Sequence, residues 1–254
     1  MFKYALALLL AFPAFAAQKP QPSVLVLDNA TKRVVYENNG YQIRPVASIT
    51  KLATGMTTID RYTSLTQEIT INNKTRLPNK TATADELLNS VLTLSDNGAS
   101  EILAENFPSG RPTFMMLMNQ RVQDMGLHNT SFADPSGLDD RNVSTAYEIA
   151  MLASRIEEAY PLIKSYSTSK YIVMEKKKKN NKTTVRMEPN TSSTILTSIN
   201  GIVLSKTGYT RPAGWCVVFV VERGEQSHTV VVLGANSKGQ RVDLAKKAVY
   251  NHTR

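Results

Sequence analysis

Two residues one helical turn apart, Ser48 and Lys51, are the first place in this chain where side chains could do covalent chemistry. A serine hydroxyl is a poor nucleophile until a neighbouring base takes its proton. A lysine amine is that base only when its pKa is lowered, which burial, a helix N-terminus or a second cation achieves. After Pro45, the apolar residues Ile49, Leu52, Ala53, Met56 and Ile59 recur at helical spacing, so Ser48 is expected at the start of a helix with a buried face. An ordinary capping serine would be followed three residues later by Glu or Gln. Here Lys51 stands there, and a cation in a first turn opposes the helix dipole. A local rule broken inside an otherwise consistent helix is what a functional site looks like in sequence. The S-x-x-K pattern is not unique, since Ser167-Thr168-Ser169-Lys170 repeats it. That copy lies in a polar, turn-rich stretch and reads as surface.

Two further groups complete the chemistry. Ser95-Asp96-Asn97 falls in a break between two helices, where Asn97-Gly98 is expected to supply residues at positive φ. Lys206-Thr207-Gly208 closes the apolar run Ile202-Val203-Leu204, as a strand end with a turn glycine. Each is commonplace alone. Ordered along one chain on a helix start, an interhelix loop and a strand end, they form a specific set. The three histidines, His128, His228 and His252, have no metal-ligand spacing, belong to no Ser/His/Asp arrangement and read as surface or loop residues. No cofactor is expected.

The elements that position these groups follow from periodicity. Residues 22–28 and 32–37 flank Asn29-Ala30-Thr31 as a hairpin. Thr83 and Glu86 make a capping box ahead of Leu87, Leu88, Val91 and Leu92. Helices are expected over about 99–106, from Pro112 to Met125, and about 145–158 with Ser144 as cap. Met115, Met116, Met118 and Met125 read as core filler. From 165 onward the pattern becomes strands, at Ile202–Lys206, Trp215–Glu222 and Thr229–Gly234, before a closing helix over Arg241–Tyr250. The expected class is mixed α/β (α+β). A sheet lobe comes from both chain ends, about 22–65 and 165–254, with a helical lobe inserted over about 66–164.

The chain opens with Met1-Phe2-Lys3, an apolar run from Tyr4 to Phe15, and Ala14-Phe15-Ala16, which is the form of a secretory signal peptide over 1–16. That run is too short to span a bilayer, so an exported, periplasmic or secreted protein with residues 17–254 as its catalytic domain is expected. The single cysteine, Cys216, excludes an intramolecular disulfide and reads as a small buried hydrophobe. Thirty basic and twenty-one acidic residues give a net charge of +9. In an exported chain that excess points away from nucleic acid and toward anionic wall polymer or lipid headgroups. Much of it lies in Lys176–Lys182, which reads as a solvated hairpin tip between strands near 169–175 and 183–188.

The three motifs together resemble those of the active-site serine DD-peptidases, the penicillin-binding proteins and related serine β-lactamases. Ala47-Ser48-Ile49-Thr50-Lys51-Leu52, Phe132-Ala133-Asp134-Pro135-Ser136-Gly137-Leu138, Lys206-Thr207-Gly208-Tyr209-Thr210 and Val231-Val232-Leu233-Gly234-Ala235 resemble the low-molecular-mass D-alanyl-D-alanine carboxypeptidase/endopeptidase branch. The resemblance runs from about 22 to 250. It implies a β-lactamase/DD-peptidase-like fold, an antiparallel sheet flanked by helices. It implies that Ser48 forms an acyl-enzyme, Lys51 takes its proton and Ser95 relays a proton to the leaving amine. Asn97 would hold a substrate amide, and Lys206 and Thr207 the carboxylate of the leaving residue. The oxyanion would rest on the backbone N–H groups of Ser48 and Tyr209, with Gly208 letting the strand approach. Peptidoglycan stem peptides are the implied substrates and β-lactams the implied covalent inhibitors. No nucleic acid and no stable membrane anchor are implied, and at most a loose surface association through basic residues.

Glu157-Glu158-Ala159-Tyr160 does not fit the deacylating loop of a fast serine β-lactamase. Asn190-Thr191-Ser192 stands where the family often has Asn-Thr-Asn. The expected activity is endopeptidase, because the chain stops at Arg254 with no further β-domain or amphipathic helix. Carboxypeptidase trimming of stem pentapeptides is the alternative. A penicillin-binding sensor without turnover and a basic wall-binding structural protein are rival classes.

Overall fold

Valine-rich runs buried on both faces build the centre of the protein. The computed structural model describes residues 21–71, 74–177 and 183–253. The expected signal peptide and the tip residues 178–182 lie outside them. Strand β1 (Ser23–Asp28) pairs antiparallel with β2 (Val34–Asn38) and, on its other side, with a strand from the far end of the chain. A short β3 (Arg44–Pro45) and a 3₁₀ turn (Ala47–Thr50) lead into α1 (Lys51–Arg61). The helical part follows. It comprises the small hairpin β4 (Glu68–Thr70) and β5 (Thr81–Thr83), α2 (Ala84–Thr93), α3 (Asn97–Glu105), α4 (Gly110–Asp124), β6 (Val143–Ser144) paired to β3, α5 (Ala146–Ala159) and α6 (Pro161–Thr168). The chain then forms a two-stranded hairpin, β7 (Tyr171–Lys177) and β8 (Thr183–Pro189), and a short α7 (Ser193–Ser198). It ends in β9 (Ile202–Thr210), β10 (Gly214–Arg223), β11 (Gln226–Ala235) and α8 (Lys238–His252).

The main sheet has five antiparallel strands in the order β2-β1-β11-β10-β9. Alternate residues of its strands face opposite layers. Leu25, Leu27, Val218, Val220, Val231 and Leu233 pack on α1 and α5. Val24, Val26, Val217, Phe219, Val230 and Val232 pack on α7 and α8. α1 is buried on every side from Lys51 to Thr58, as a helix running through the core.

Several local readings change. α3 starts at Asn97, two residues before the expected start. Thr145, not Ser144, caps α5, because its hydroxyl accepts the Glu148 N–H while Ser144 is held in β6. Residues 161–168 are helical, because Pro161 opens α6 at its first turn. Ser167 is therefore not surface. It is fully buried, and its hydroxyl accepts the Ser205 N–H. His228 is likewise buried in β11, at its pairing with Asp28 and Val221. Met116 stays exposed while Met115 and Met118 are buried. Cys216 is a buried free thiol under β9.

Candidate active site

The turn before α1 sets the first group. Val46 donates its N–H to Asn142 O, and Ile49 donates back to Val46 O. Ala47 sits at φ +50, a conformation costly for a residue with a Cβ, so the turn is held by its surroundings. Two glycines clamp it. A Cβ on Gly137 would stand 2.1 Å from Ala47 O, and a Cβ on Gly208 would stand 2.9 Å from Ser48 N. Ser48 emerges half-buried, and Lys51 one turn later is completely buried.

Lys51 Nζ has three acceptors. It lies 3.0 Å from Ser48 Oγ and 2.7 Å from Asn97 Oδ1, and it donates to Ser136 O. Burial pulls its pKa down to about 7, and the carboxylates of Asp134, Asp96 and Glu101 pull the other way. An ammonium has three N–H donors, which matches the three acceptors. A neutral amine has two donors and a lone pair. With Asn97 Oδ1 and Ser136 O taking the two remaining N–H bonds, the lone pair points at the Ser48 hydroxyl.

The second group sits between α2 and α3. Ser95 is at φ +55, again strained for a non-glycine. The positive φ expected at Asn97-Gly98 is at Ser95 instead. Gly98 is required for packing, because a Cβ there would stand 1.9 Å from Lys74 O. Asp96 fastens this bend. Its carboxylate accepts from Ala99 N at the start of α3, and from Ser90 Oγ, Thr75 Oγ1 and Arg76 N. The bend thus presents Ser95 and Asn97 side by side toward Lys51 and β9.

The third group is inside β9 rather than at its end, since the strand continues to Thr210. Lys206 is fully buried, with Nζ 3.0 Å from Ser95 Oγ and 2.9 Å from Thr207 O. Burial, then the Lys51 ammonium and the Arg241 guanidinium, hold its pKa well below the lysine range. The two lysines therefore titrate as a coupled pair, and protonating one makes protonating the other harder. Thr207 donates its hydroxyl to Thr191 O at 3.3 Å, which ties Asn190-Thr191-Ser192 to the catalytic strand. Tyr209 is half exposed, its ring 4.4 Å from that of Trp215.

Ser48, Lys51 and Asn97 are thus joined by direct hydrogen bonds, and Ser95 and Lys206 form a second bonded pair beside them. Thr207, Gly208 and Tyr209 lie along the same strand. Three supports went unread in the sequence as parts of the site. The buried Asp134 carboxylate accepts from Ser136 N, Ser136 Oγ, Gly137 N and Asp139 N, so it shapes the loop that offers Ser136 O to Lys51. Asn142 stitches that loop to the nucleophile turn, accepting from Ala133 N and donating to Thr50 Oγ1. Arg241 is buried against Cys216 O and lies 5.4 Å from the centre of the Trp215 ring, adding positive charge near Lys206. The Asp-Pro-Ser-Gly run signals a turn, but not what the turn holds. Among the described residues, no group of His, Cys, Asp and Glu could hold a metal ion.

Comparison with known proteins fits this geometry. The chain is 30% identical to a D-alanyl-D-alanine endopeptidase of Escherichia coli, over 92% of this chain and 82% of that one. It is 33% identical to a D-alanyl-D-alanine endopeptidase of Pseudomonas aeruginosa, over 85% and 72%. Its fold is similar to that of penicillin-binding protein D2 from Listeria monocytogenes in an ampicillin-bound form, with a TM-score of 0.78, 23% identity and coverage of 91% and 97%. The model of the D-alanyl-D-alanine carboxypeptidase family matches residues 13–237, and the chain belongs to that family of serine D-Ala-D-Ala peptidases.

Proposed function

We propose that this protein is a serine D-alanyl-D-alanine endopeptidase that cleaves D-Ala–diamino acid cross-links in peptidoglycan through an acyl-enzyme on Ser48. The observation that carries the mechanism is the buried Lys51 amine, 3.0 Å from Ser48 Oγ with its pKa drawn down to about 7. Such an amine is partly neutral near neutral pH and is placed to accept the hydroxyl proton.

In the first half-reaction Ser48 Oγ attacks the carbonyl carbon of the D-alanine joined to the diamino acid, and its proton passes to Lys51 Nζ. The tetrahedral oxyanion rests on backbone N–H groups of Ser48 and Tyr209. A missing donor of this kind typically costs about 10²–10³ in rate. As the C–N bond breaks, the proton that Lys51 took passes through Ser95 to the leaving amine, which returns Lys51 to its neutral form; the Ser95 hydroxyl accepts from Lys206 Nζ. Asn97 holds a substrate amide. Lys206 and Thr207 receive the carboxylate beside the leaving nitrogen, Thr207 by its hydroxyl and Lys206 from behind it. In the second half-reaction a water gives a proton to the neutral Lys51 amine as its oxygen bonds to the ester carbonyl carbon, and Lys51 returns that proton to Ser48 Oγ as the ester C–O bond breaks. Ser48, Ser95 and Asn97 are half-buried while both lysines are fully buried. Substrate therefore meets hydroxyls and an amide, with the charges behind them.

The endopeptidase reading is supported by the two relatives named for that activity, which cover most of the chain. Ampicillin bound to a protein of this fold supports β-lactams as covalent inhibitors here. The sequence of residues 1–16 supports export, with action in the periplasm or outside the cell. Among the described residues no helix is long and apolar enough to cross a membrane.

The test is intact-mass measurement after incubation with penicillin, followed by digestion of defined muropeptides. Wild type should gain one penicilloyl group and Ser48→Ala none, and cross-linked dimers should be split to monomers. Release of free D-alanine from pentapeptide with dimers untouched would move the protein to the carboxypeptidase reading. Acylation without turnover of either peptide would make it a sensor.

A further inference from the structure

A groove of about 700 Å³ runs between β5, the first turns of α2 and β7, and none of the catalytic groups lines it. Strand edges form two of its sides. Among the described residues β7 pairs only with β8, and β5 only with β4. In an antiparallel ladder alternate residues aim their backbone groups at the partner strand, and the residues between them aim theirs away. Asn190 donates its N–H to Lys170 O, so the even-numbered residues of β7 face β8. Tyr171, Val173 and Glu175 therefore turn their N–H and C=O groups outward. Glu175 O agrees, since it accepts from Asn79 Nδ2, which also lines the groove. In the other hairpin Ile71 donates to Lys80 O and Ala84 to Gln67 O, so Thr81 and Thr83 turn outward from β5. The Thr83 N–H is taken by the Glu86 carboxylate. The backbone groups of Thr81 and Val173, both in the lining, have no partner among the described residues.

The charges of the groove have one sign. Its charged lining residues are Glu68, Asp85, Glu86 and Glu175, in a chain whose net charge is +9. Lys80 and Lys176 adjoin the lining in sequence and are not part of it. Asp85 is occupied by the Tyr166 hydroxyl and Glu86 by the cap of α2. Glu68 and Glu175 are exposed and have no ion-pair partner among the described residues. Between the carboxylates, Leu77, Ala82, Ile172 and Met174 supply apolar surface. A strand edge with open donors and acceptors is a template for one more strand. Two such edges along one groove suit an extended backbone, which bonds to either of them through its own N–H and C=O groups. The carboxylates then choose among extended chains, favouring cationic side chains and repelling anionic wall polymer.

We propose that this groove binds a basic segment of a partner protein as an added β-strand, its backbone bonded at Thr81 and Val173 and its lysines or arginines beside Glu68 and Glu175. The seat is joined to the catalytic bend by one loop. Leu77, Pro78 and Asn79 of that loop line the groove, while Thr75 Oγ1 and Arg76 N hold the Asp96 carboxylate between Ser95 and Asn97. A seated partner is thus held on the loop that braces those two residues. Salt weakens the contact, because its carboxylates lie at the surface.

The experiment is fluorescence anisotropy of the full-length mature protein with a labelled seven-residue peptide of alternating lysine and valine, at low and high salt. A peptide with glutamate in place of lysine is the control. The variants are Val173→Pro, which removes an outward N–H and spares every β7–β8 bond, and Glu68→Gln/Glu175→Gln. Unchanged circular dichroism and melting temperature report an intact fold in each. The expected result is saturable binding of the lysine peptide alone, weakened about tenfold by Val173→Pro and by the double glutamine variant. Absence of saturable binding at low salt overturns the proposal. So does binding that ignores Val173→Pro, which would mean charge attraction without strand addition. Concentration-dependent dimerisation abolished by Val173→Pro would overturn it in favour of a second copy of this chain.

Discussion

Lys51 is surrounded by acceptors chosen for one protonation state. Asn97 Oδ1 and Ser136 O fix two N–H bonds, and the third direction is left to Ser48. Its ionisation then governs both rate and stability. Acylation by penicillin should rise with pH through about 7, as the amine becomes neutral. Asp134 raises the Lys51 pKa through its charge, second only to burial among the influences on that group. Asp134→Asn keeps an oxygen for Ser136 N and Gly137 N but removes the charge. Its rate profile should move to lower pH, and an unmoved midpoint would confine Asp134 to loop shape alone. The stability sign follows from the same shift. A lysine whose folded pKa lies below its unfolded value of about 10.4 binds fewer protons folded than unfolded between those values. Its burial thus costs most at and below about pH 7, and the cost fades as pH rises toward 10. Lys206 acts in the same direction. Raising pH from 7 to 9 should therefore raise the unfolding free energy of wild type more than that of Lys51→Met, read by denaturant titration. An equal response would mean that Lys51 is not depressed.

At the scale of elements, the site depends on contacts where backbone passes backbone. Gly137 has φ +83 and Gly208 lies in β9, and between them they trap the Ala47–Ser48 peptide. Gly208→Ala should abolish penicillin acylation while leaving most secondary structure, checked by circular dichroism beside intact mass. Thr83→Ala is the contrasting case. It removes the capping box with Glu86 at the head of α2. It should cost about 1 kcal/mol, or a fall of roughly 2–4 °C in Tm, with acylation unchanged. A loss of acylation would show that α2 transmits strain to Ser95. These elements differ in how plainly the sequence displays them. Thr83 and Glu86, and the spacing of Ser48 from Lys51, are local, so periodicity and capping rules reveal them. The partners of Lys51 are 46 and 85 positions away, and no local rule pairs a lysine with the carbonyl of a distant turn. α6 was hidden because its Ser-Thr content imitates a loop, and tertiary burial of Ile163 and Ser167 overrides that propensity. Ser95 took its positive φ in place of the following Asn-Gly pair because Asp96 is fastened on four sides.

At the scale of the molecule, the 3₁₀ turn and α1 carry Ser48 and Lys51 into the interior, the helical part brings Ser95 and Asn97, and the sheet brings Lys206. The α+β class was readable from strands at both ends with helices between. The strand order was not, because β1, β10 and β11 are near-continuous apolar runs of much the same kind and register is a property of pairs. The outermost chain segments meet in the middle of the sheet: β1 lies between β2 and β11, and Thr229 donates to Asn29 across two hundred residues. This join has a consequence in time. A chain synthesised from its N-terminus delivers β1 first and its neighbour β11 almost last. Until then the sheet lacks its central pairing, and Lys206 has no strand in which to face Ser95. Such long-range closure makes folding slow and late. The nucleophile is thus inert while the chain is incomplete and arms itself only once β11 has joined β1.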